Sequence, residues 1–304
     1  MNKSMTYLSS LWQLIKRNML VYLRNSTTVI FSLMAPILIL VIYTLFMGDI
    51  QADMLVGSIP NAPVIASETL KMIINAWMIP GIVAISCLTV ALNSMLVMIE
   101  DKERGTIHDF IASPVKPVTQ LLSYFIAAFI LTFTICFIFL LVGMLYLVIT
   151  TGVYFGIVSF LELILILLLS SLSAVLGLMC IMTFFKSIMG VSAFTGIFSA
   201  LIGFLIGAYL PVSMLPIGIQ NLANLIPGSY STGLFRGIFM NAMFEQIDGL
   251  SPVFIDQVKD IYAFELVLFG HAISRSGMYI YLTGSIVVFF FTYLCIDRLK
   301  NKKH

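Results

Sequence analysis

The chain has 304 residues, of which 60% are hydrophobic and 10% are charged, and its formal net charge is +2. Soluble domains carry roughly 25% charged residues, so this chain cannot cover its own apolar surface in water. The composition predicts a protein whose solvent is the lipid bilayer. No basic run is dense enough for nucleic-acid binding. The four cysteines form no CxxC pair, which argues against a disulfide framework or a zinc site.

Residues 4–24 have the spacing of an amphipathic helix. The apolar residues recur at steps of three and four, at Leu8, Trp12, Ile15, Met19 and Tyr22, while Arg17 and Arg24 fall on another face. This pattern predicts a helix that lies in the membrane interface, with its cations near anionic headgroups. A solvated tail is the alternative interpretation.

Six apolar runs are long enough to cross a bilayer, which needs roughly 20 residues per helix. They cover residues 29–47, 78–99, 120–149, 157–184, 189–210 and 277–296. The first run begins too far from the N-terminus for a cleavable signal peptide. With both termini in the cytoplasm, 12 basic residues lie inside and four outside, which accounts for all 16. The positive-inside rule therefore predicts a multi-pass plasma-membrane protein with both termini cytoplasmic.

The segment between the last two runs differs from the rest. Residues 211–228 are apolar but too short to cross, and three prolines interrupt them. Such a segment can enter from the outer side and return if protein shields its backbone. Residues 229–276 are expected outside the membrane, with an amphipathic helix indicated by Ile255, Val258, Tyr262 and Leu266. The whole chain, 1–304, is interpreted as a single transmembrane domain with an outer segment at 211–276.

Enzymatic signatures are missing from the sequence. There is no GxxxxGK[ST] loop to cradle phosphate, no HExxH and no GxSxG. The three histidines, His108, His271 and His304, lie outside the apolar runs. The chain is therefore not predicted to be an enzyme, and no cofactor or metal is expected in it. Work against a gradient would need a partner.

The loop at residues 100–117, EDKERGTIHDFIASPVKP, is the charge-dense loop on the predicted inner side. Thr106 and Asp109 fit a weaker form of the capping box. Ile107, Phe110 and Ile111 then share one face of a short helix, and two prolines end it. An apolar knob ringed by charges suits docking into a groove of a soluble partner. The alternative is a helix that rests on the lipid surface.

This loop resembles the E-x-G-T-x-x-x-L-x-x-[ST]-P loop of the type-2 ABC-transporter permease family, which includes daunorubicin-type drug exporters and polysaccharide exporters. The stretch 210–236, LPVSMLPIGIQNLANLIPGSYSTGLFR, resembles the family's second motif through Pro227, Tyr230 and Arg236. Two positions depart from the pattern: Ile226 stands where the family usually has Asn, and Phe110 where it has Leu. With six spans and the N-terminal helix, the resemblance covers essentially the whole chain.

The resemblance implies an all-α permease with six transmembrane helices, an N-terminal interfacial helix and a re-entrant outer hairpin. It also implies a coupling helix at 106–112 that meets a separate ABC ATPase, which would hold the ATP and Mg²⁺. The implied coupling residues are Glu103, Gly105, Thr106, Ile107, His108, Phe110 and Ile111. A second permease copy, identical or related, and membrane lipid are the other expected partners. An amphipathic small molecule, a lipid-like compound or a peptide is the expected cargo.

Two rival functions remain open at this stage. A non-transporting sensor or assembly scaffold would not need a loop that meets an ATPase. An intramembrane enzyme is disfavoured by the residue inventory. One further residue stands out, because Glu162 is an acid inside an apolar run and such residues are functional by default. It either belongs to the substrate pathway or extends to the nearby outer interface.

Overall fold

A computed structural model describes residues 3–43, 45, 50, 53–55, 57, 67–106, 115–247, 250–262, 266–268 and 271–301. The described helices are α1 Lys3–Arg24, α2 Ser26–Ile42, α3 Ser67–Ser94, α4 Leu96–Glu103, α5 Pro117–Thr151, α6 Ile157–Met182, α7 Ile188–Leu205, α8 Ile217–Ala223, α9 Pro227–Phe244, α10 Pro252–Ile261 and α11 Arg275–Asn301. A 3₁₀ turn covers Val212–Met214. Two short antiparallel strands, β1 Leu266–Leu268 and β2 His271–Ile273, pair Leu266 with Ile273.

Five stretches are long and apolar enough to cross a membrane: Glu68–Glu103, Pro117–Thr151, Ile157–Met182, Ile188–Leu205 and Arg275–Ile296. The pair α1 and α2, bent by 78° between them, raises the number to as many as six. The bend falls at Asn25, whose side chain accepts a hydrogen bond from the backbone N–H of Thr28 and so starts α2 as a new helix. The protein is therefore an all-α, multi-pass membrane protein, as the sequence predicts.

Helix α3 forms the centre of the bundle, because it packs against α2, α5, α6 and α9. From Ile73 to Ile99 the chain is buried on nearly every face. In contrast, α5 shelters one face only and exposes Ile138, Leu145 and Ile149. A 35-residue helix is about 52 Å long, which exceeds the roughly 30 Å hydrocarbon core, so α5 must tilt or project from the bilayer.

The apolar face of helix α1 is buried against the bundle in one part and exposed in another. Ile15 and Tyr22 are buried where α1 packs against the bundle, chiefly on α5. Leu8 and Trp12 remain 64% and 62% exposed. The Tyr22 hydroxyl donates to Ser32 Oγ at 2.8 Å, which ties α1 to α2 across the bend. This half-docked helix is the amphipathic helix expected from the sequence, and its position at the membrane interface stays a prediction.

The outer hairpin is longer than the sequence predicts. Its inward limb is α8, and its outward limb is α9, which runs to Phe244 among α3, α6 and α11. Residues 229–244 were expected outside the membrane, yet most of them are buried in the bundle. Ser, Thr, Gly and Arg lower the hydropathy of this helix, and its place relative to the membrane stays a prediction. Its polar groups are satisfied by protein rather than by water.

The predicted amphipathic helix of the outer segment is present as α10, in which Phe254 and Val258 are buried. It ends earlier than expected. Tyr262 is its C-cap, and Leu266 lies in strand β1 rather than on the helix.

Candidate coupling site and transmembrane cleft

A buried carboxylate anchors the start of the coupling loop, the name used here for residues 100–117. Asp101 on α4 is 4% exposed and accepts hydrogen bonds from Arg17 of α1 and Tyr124 of α5. The Arg17 Nη2–Oδ1 distance is 2.7 Å, and the Tyr124 hydroxyl lies 2.5 Å from Oδ2. The hydrogen bond to Asp101 raises the pKa of Arg17, so this guanidinium stays protonated at any working pH. Three elements therefore meet at one carboxylate.

A second link joins the loop to α7. Glu103 Oε2 accepts a hydrogen bond of 2.7 Å from the backbone N–H of Ile188, the first residue of α7. Ser187 caps the same helix end by accepting from Gly190 N at 3.3 Å. The first N–H groups of a helix have no partners within it and carry the positive end of the dipole, so a carboxylate is favoured there. This hydrogen bond connects the end of α4 to the start of α7.

Gly105 accounts for the glycine of the E-x-G motif. Its φ is 75°, in the left-handed region where only glycine is free of steric cost. Its N–H donates to Lys102 O at 3.3 Å, which ends α4 and turns the chain outward. Thr106 follows as the last described residue before the gap. Residues 107–114, with the predicted coupling residues Ile107, His108, Phe110 and Ile111, lie outside the described part of the chain.

The second motif holds the tip of the outer hairpin. Pro227 occupies the first turn of α9, where a missing N–H costs nothing. Tyr230 is fully buried, donates its hydroxyl to Asn224 O at 2.7 Å and stacks on Tyr281 with ring centroids 4.0 Å apart. These contacts close the turn between α8 and α9 and fix it against α11.

Arg236 joins the outward limb to the centre of the bundle. Its side chain is buried and donates to Gly207 O at 2.5 Å and to Trp77 O at 3.2 Å. The guanidinium carbon also lies 4.1 Å from the centroid of the Trp77 ring, a cation–π contact. Gly81 permits the close approach, since a Cβ there would lie 3.1 Å from the Cα of Ala208. The motif residues thus hold the hairpin against the rest of the bundle.

A cleft of about 500 Å³ lies between α2, α3 and α7. Its walls mix apolar side chains with an unusual number of hydroxyl and amide groups: Thr27, Thr28, Thr89, Asn93, Ser192, Thr195 and Ser199. Asn93 Nδ2 donates to Thr89 O at 2.8 Å, which leaves its carbonyl oxygen as an acceptor. The hydroxyl of Thr195 is buried and has no hydrogen-bond partner among the described residues. A ligand with polar groups could satisfy these side chains.

Sequence reasoning missed this cleft, although a signal was present. Thr89 and Asn93 are four residues apart on α3, and Ser192, Thr195 and Ser199 recur at steps of three and four on α7. Polar side chains on one face of a membrane helix mark a helix contact or a ligand path. Only the fold shows that the two faces meet each other.

Glu162 lies near the start of α6, where Arg275 and Tyr279 of α11 bind it. The Arg275 Nη2–Oε1 distance is 2.5 Å, and the Tyr279 hydroxyl donates to the same oxygen at 2.6 Å. These contacts give the carboxylate a role in joining α6 to α11. The cleft between α2, α3 and α7 does not include it.

The fold and these surfaces define a class of protein. It is a multi-pass, all-α membrane protein whose helical bundle contains a polar cleft. Among the described residues, no group of three or more His, Cys, Asp or Glu side chains could hold a metal ion.

A family model described as ABC-2 type transporter matches residues 9–240, well over half of the chain. The chain belongs to the ABC-2 type transporter family and is the membrane permease component of an ABC transporter, which confirms the resemblance seen in the sequence. It is a transport component rather than a catalytic domain. Comparison with curated proteins gives no match.

Proposed function

We propose that this permease exports an amphipathic small molecule, a lipid-like compound or a peptide, and that a separate ABC ATPase powers it. The coupling residues Glu103, Gly105, Thr106, Ile107, His108, Phe110 and Ile111 would meet that ATPase, which would hold the ATP and Mg²⁺. Both termini would then lie in the cytoplasm and the hairpin on the outer face of the plasma membrane.

The observation that carries this proposal is the cleft between α2, α3 and α7. Polar side chains within a bilayer are costly unless they meet partners, so the cleft-lining Thr27, Asn93 and Ser192 favour a ligand with polar groups. The apolar part of the wall, which includes Met34, Leu38 and Leu96, favours a ligand that also has hydrocarbon. An amphipathic cargo satisfies both kinds of wall.

A second permease copy would close the cleft on its open side. The rim of the cleft exposes Met34 and Leu38 on α2, each at about half of the full side-chain exposure, and Ser192 on α7 is exposed as well. Facing copies would bury these side chains and enclose a path between them. One copy alone leaves the path open to lipid.

Two links described above would carry the motion of the ATPase to the cleft. Drawing the coupling loop toward the partner pulls on α1 through the Arg17–Asp101 pair. The same movement pulls on α7 through Glu103 and Ile188 N. Since α7 lines the cleft, its displacement would widen or narrow the path.

The experiment uses inverted vesicles that contain the permease and its ATPase, with a panel of fluorescent amphiphiles. ATP should drive accumulation of a cargo in the lumen, which corresponds to export. Asn93→Ala should raise the cargo concentration for half-maximal transport about fivefold, the equivalent of one neutral hydrogen bond of about 1 kcal/mol. Thr150→Val, which removes an exposed hydroxyl on α5 outside the cleft, is the matched control.

If no amphiphile accumulates when ATP is added, the exporter hypothesis is rejected in favour of a sensor or scaffold. If Asn93→Ala transports cargo with an unchanged half-maximal concentration, the protein is still an exporter, but this cleft is not the path of its cargo.

A further inference from the structure

A second cavity lies against a neighbouring face of α7. This lateral crevice, as we name it, has a volume of about 420 Å³ and lies between α3, α6, α7 and α11, with the hairpin tip at residues 225–228 on its wall. Its floor is made of small buried side chains, among them Ala84, Ser170 and Ala174. Its rim includes Ile181 and Val288, which are 39% and 60% exposed. The crevice therefore opens sideways, on the lipid-facing surface of the bundle.

The polar side chains of the crevice wall already have partners within the protein. Ser170 Oγ donates to Ile166 O at 2.6 Å, Ser173 Oγ pairs with Ser285 Oγ at 2.7 Å, Cys180 Sγ donates to Phe289 O at 3.3 Å, and Ser231 Oγ donates to Pro227 O at 3.4 Å. No buried, unpartnered polar atom of the described residues belongs to a residue of this wall. The wall presents hydrocarbon to whatever enters, in contrast to the cleft with its free Thr195 hydroxyl.

The occupant follows from these facts. A water molecule needs two to four polar partners, whereas most residues of this wall are apolar and three of its serines already bond within the protein. An empty space of this size would forfeit the dispersion contacts of a close-packed interior. The helices that line the crevice include α6, α7 and α11, which are all candidate membrane spans, so the solvent around its mouth is the acyl region of the bilayer.

We propose that the lateral crevice binds one acyl chain of a bilayer phospholipid. The chain passes the rim at Val288 and rests against the hairpin tip at Ile226 and Gly228. Its volume lies within the range of small-molecule sites, roughly 300–1,000 Å³. The bound chain supports the tip of the re-entrant hairpin, which would otherwise face a void. This site is separate from the proposed cargo path, and it does not depend on transport.

The experiment reconstitutes the full-length permease, without ATPase or cargo, in vesicles of phosphatidylethanolamine and phosphatidylglycerol. A trace of phosphatidylcholine carries a photoactivatable diazirine near the end of one acyl chain. After illumination, mass spectrometry maps the labelled peptides. We expect strong labelling at residues 170–181, 225–231 and 285–292, with weaker labelling along the exposed face of α5.

Filling the crevice should remove the chain. Ala174→Leu adds side-chain volume at the floor of the crevice. Labelling of the crevice should fall about tenfold, because two methylenes of the acyl chain would no longer be buried there. Thr292→Trp at the exposed rim narrows the mouth without altering the buried floor. Ala200→Leu on the exposed face of α7 is the matched control and should leave labelling unchanged.

The label on α5 serves as an internal standard for folding. If both filling variants keep that standard and still label the crevice as strongly as the wild type, the chain does not occupy it and the proposal fails. A wild-type crevice that stays unlabelled while α5 is labelled, as when a second copy covers the mouth, also overturns it.

Discussion

At the scale of single residues, the described residues of the family motifs stabilise turns and helix contacts. Gly105 turns the chain at the end of α4, Tyr230 closes the hairpin tip, and Arg236 joins α9 to Trp77 and Gly207. A buried cation held by backbone carbonyls and an aromatic ring needs the planar, forked guanidinium. The Arg at this position is therefore set by geometry rather than by charge alone.

This geometry predicts the effect of Arg236→Lys. Lysine keeps the charge but cannot reach two carbonyl oxygens and stack on Trp77 together, so the folded state should lose roughly 1.5–3 kcal/mol. The measurement is thermal unfolding in detergent. Arg104→Lys is the matched control, because Arg104 is exposed and forms an i,i+4 pair with Glu100. Equal melting temperatures for the two variants would show that the Arg236 contacts add nothing.

At the scale of elements, the spans were predictable and the hairpin was only partly so. Long apolar runs give spans in any sequence, and their bounds in the structure differ from the expected ones by a few residues for most helices. The outward limb α9 was missed because Ser229, Thr232 and Arg236 lower its hydropathy. Its polar groups bond within the protein, which no local pattern reveals.

The link between α4 and α7 can be tested by itself. Glu103→Ala removes the acceptor from Ile188 N, so α7 should no longer follow the coupling loop. We expect transport to fall several-fold when wild type and variant are compared at equal amounts of bound ATPase. The control is Glu68→Ala, which removes an exposed glutamate from the first turn of α3. Unchanged transport in Glu103→Ala would mean that α7 receives the motion by another route.

At the scale of the whole molecule, the protein is a permease organised around α3, with two cavities that adjoin neighbouring faces of α7. The family could be predicted from the motifs at 100–117 and 210–236, because they occur in order on a chain with this pattern of spans. The cleft and the lateral crevice could not, because each is formed by helices distant in sequence. The role of Glu162 also needed the fold, since its partners, Arg275 and Tyr279, are more than a hundred residues away.

The orientation of the whole molecule is a prediction that fusion reporters can check. A reporter after His304 and another within the coupling loop should both report the cytoplasm. A third, inserted between residues 245 and 260, should report the exterior. The reason is the excess of lysine and arginine on the segments placed inside. An inside signal from the third reporter would overturn the six-span arrangement.

The central claim is that the coupling loop joins this permease to a separate ATPase, and Phe110→Asp tests it most directly. Burial of the apolar side chains of this loop in a partner groove should contribute roughly 1.5–3 kcal/mol each. An unpaired buried charge costs more than the lost burial, and a loss of about 2.7 kcal/mol alone weakens binding a hundredfold. Leu165→Ala, at an exposed position of α6, is the control and should leave co-purification alone.

The account predicts that Phe110→Asp reaches the membrane in normal amount and that ATPase co-purification and transport fall together. Recovery of the ATPase at the normal ratio, with normal transport, would contradict it.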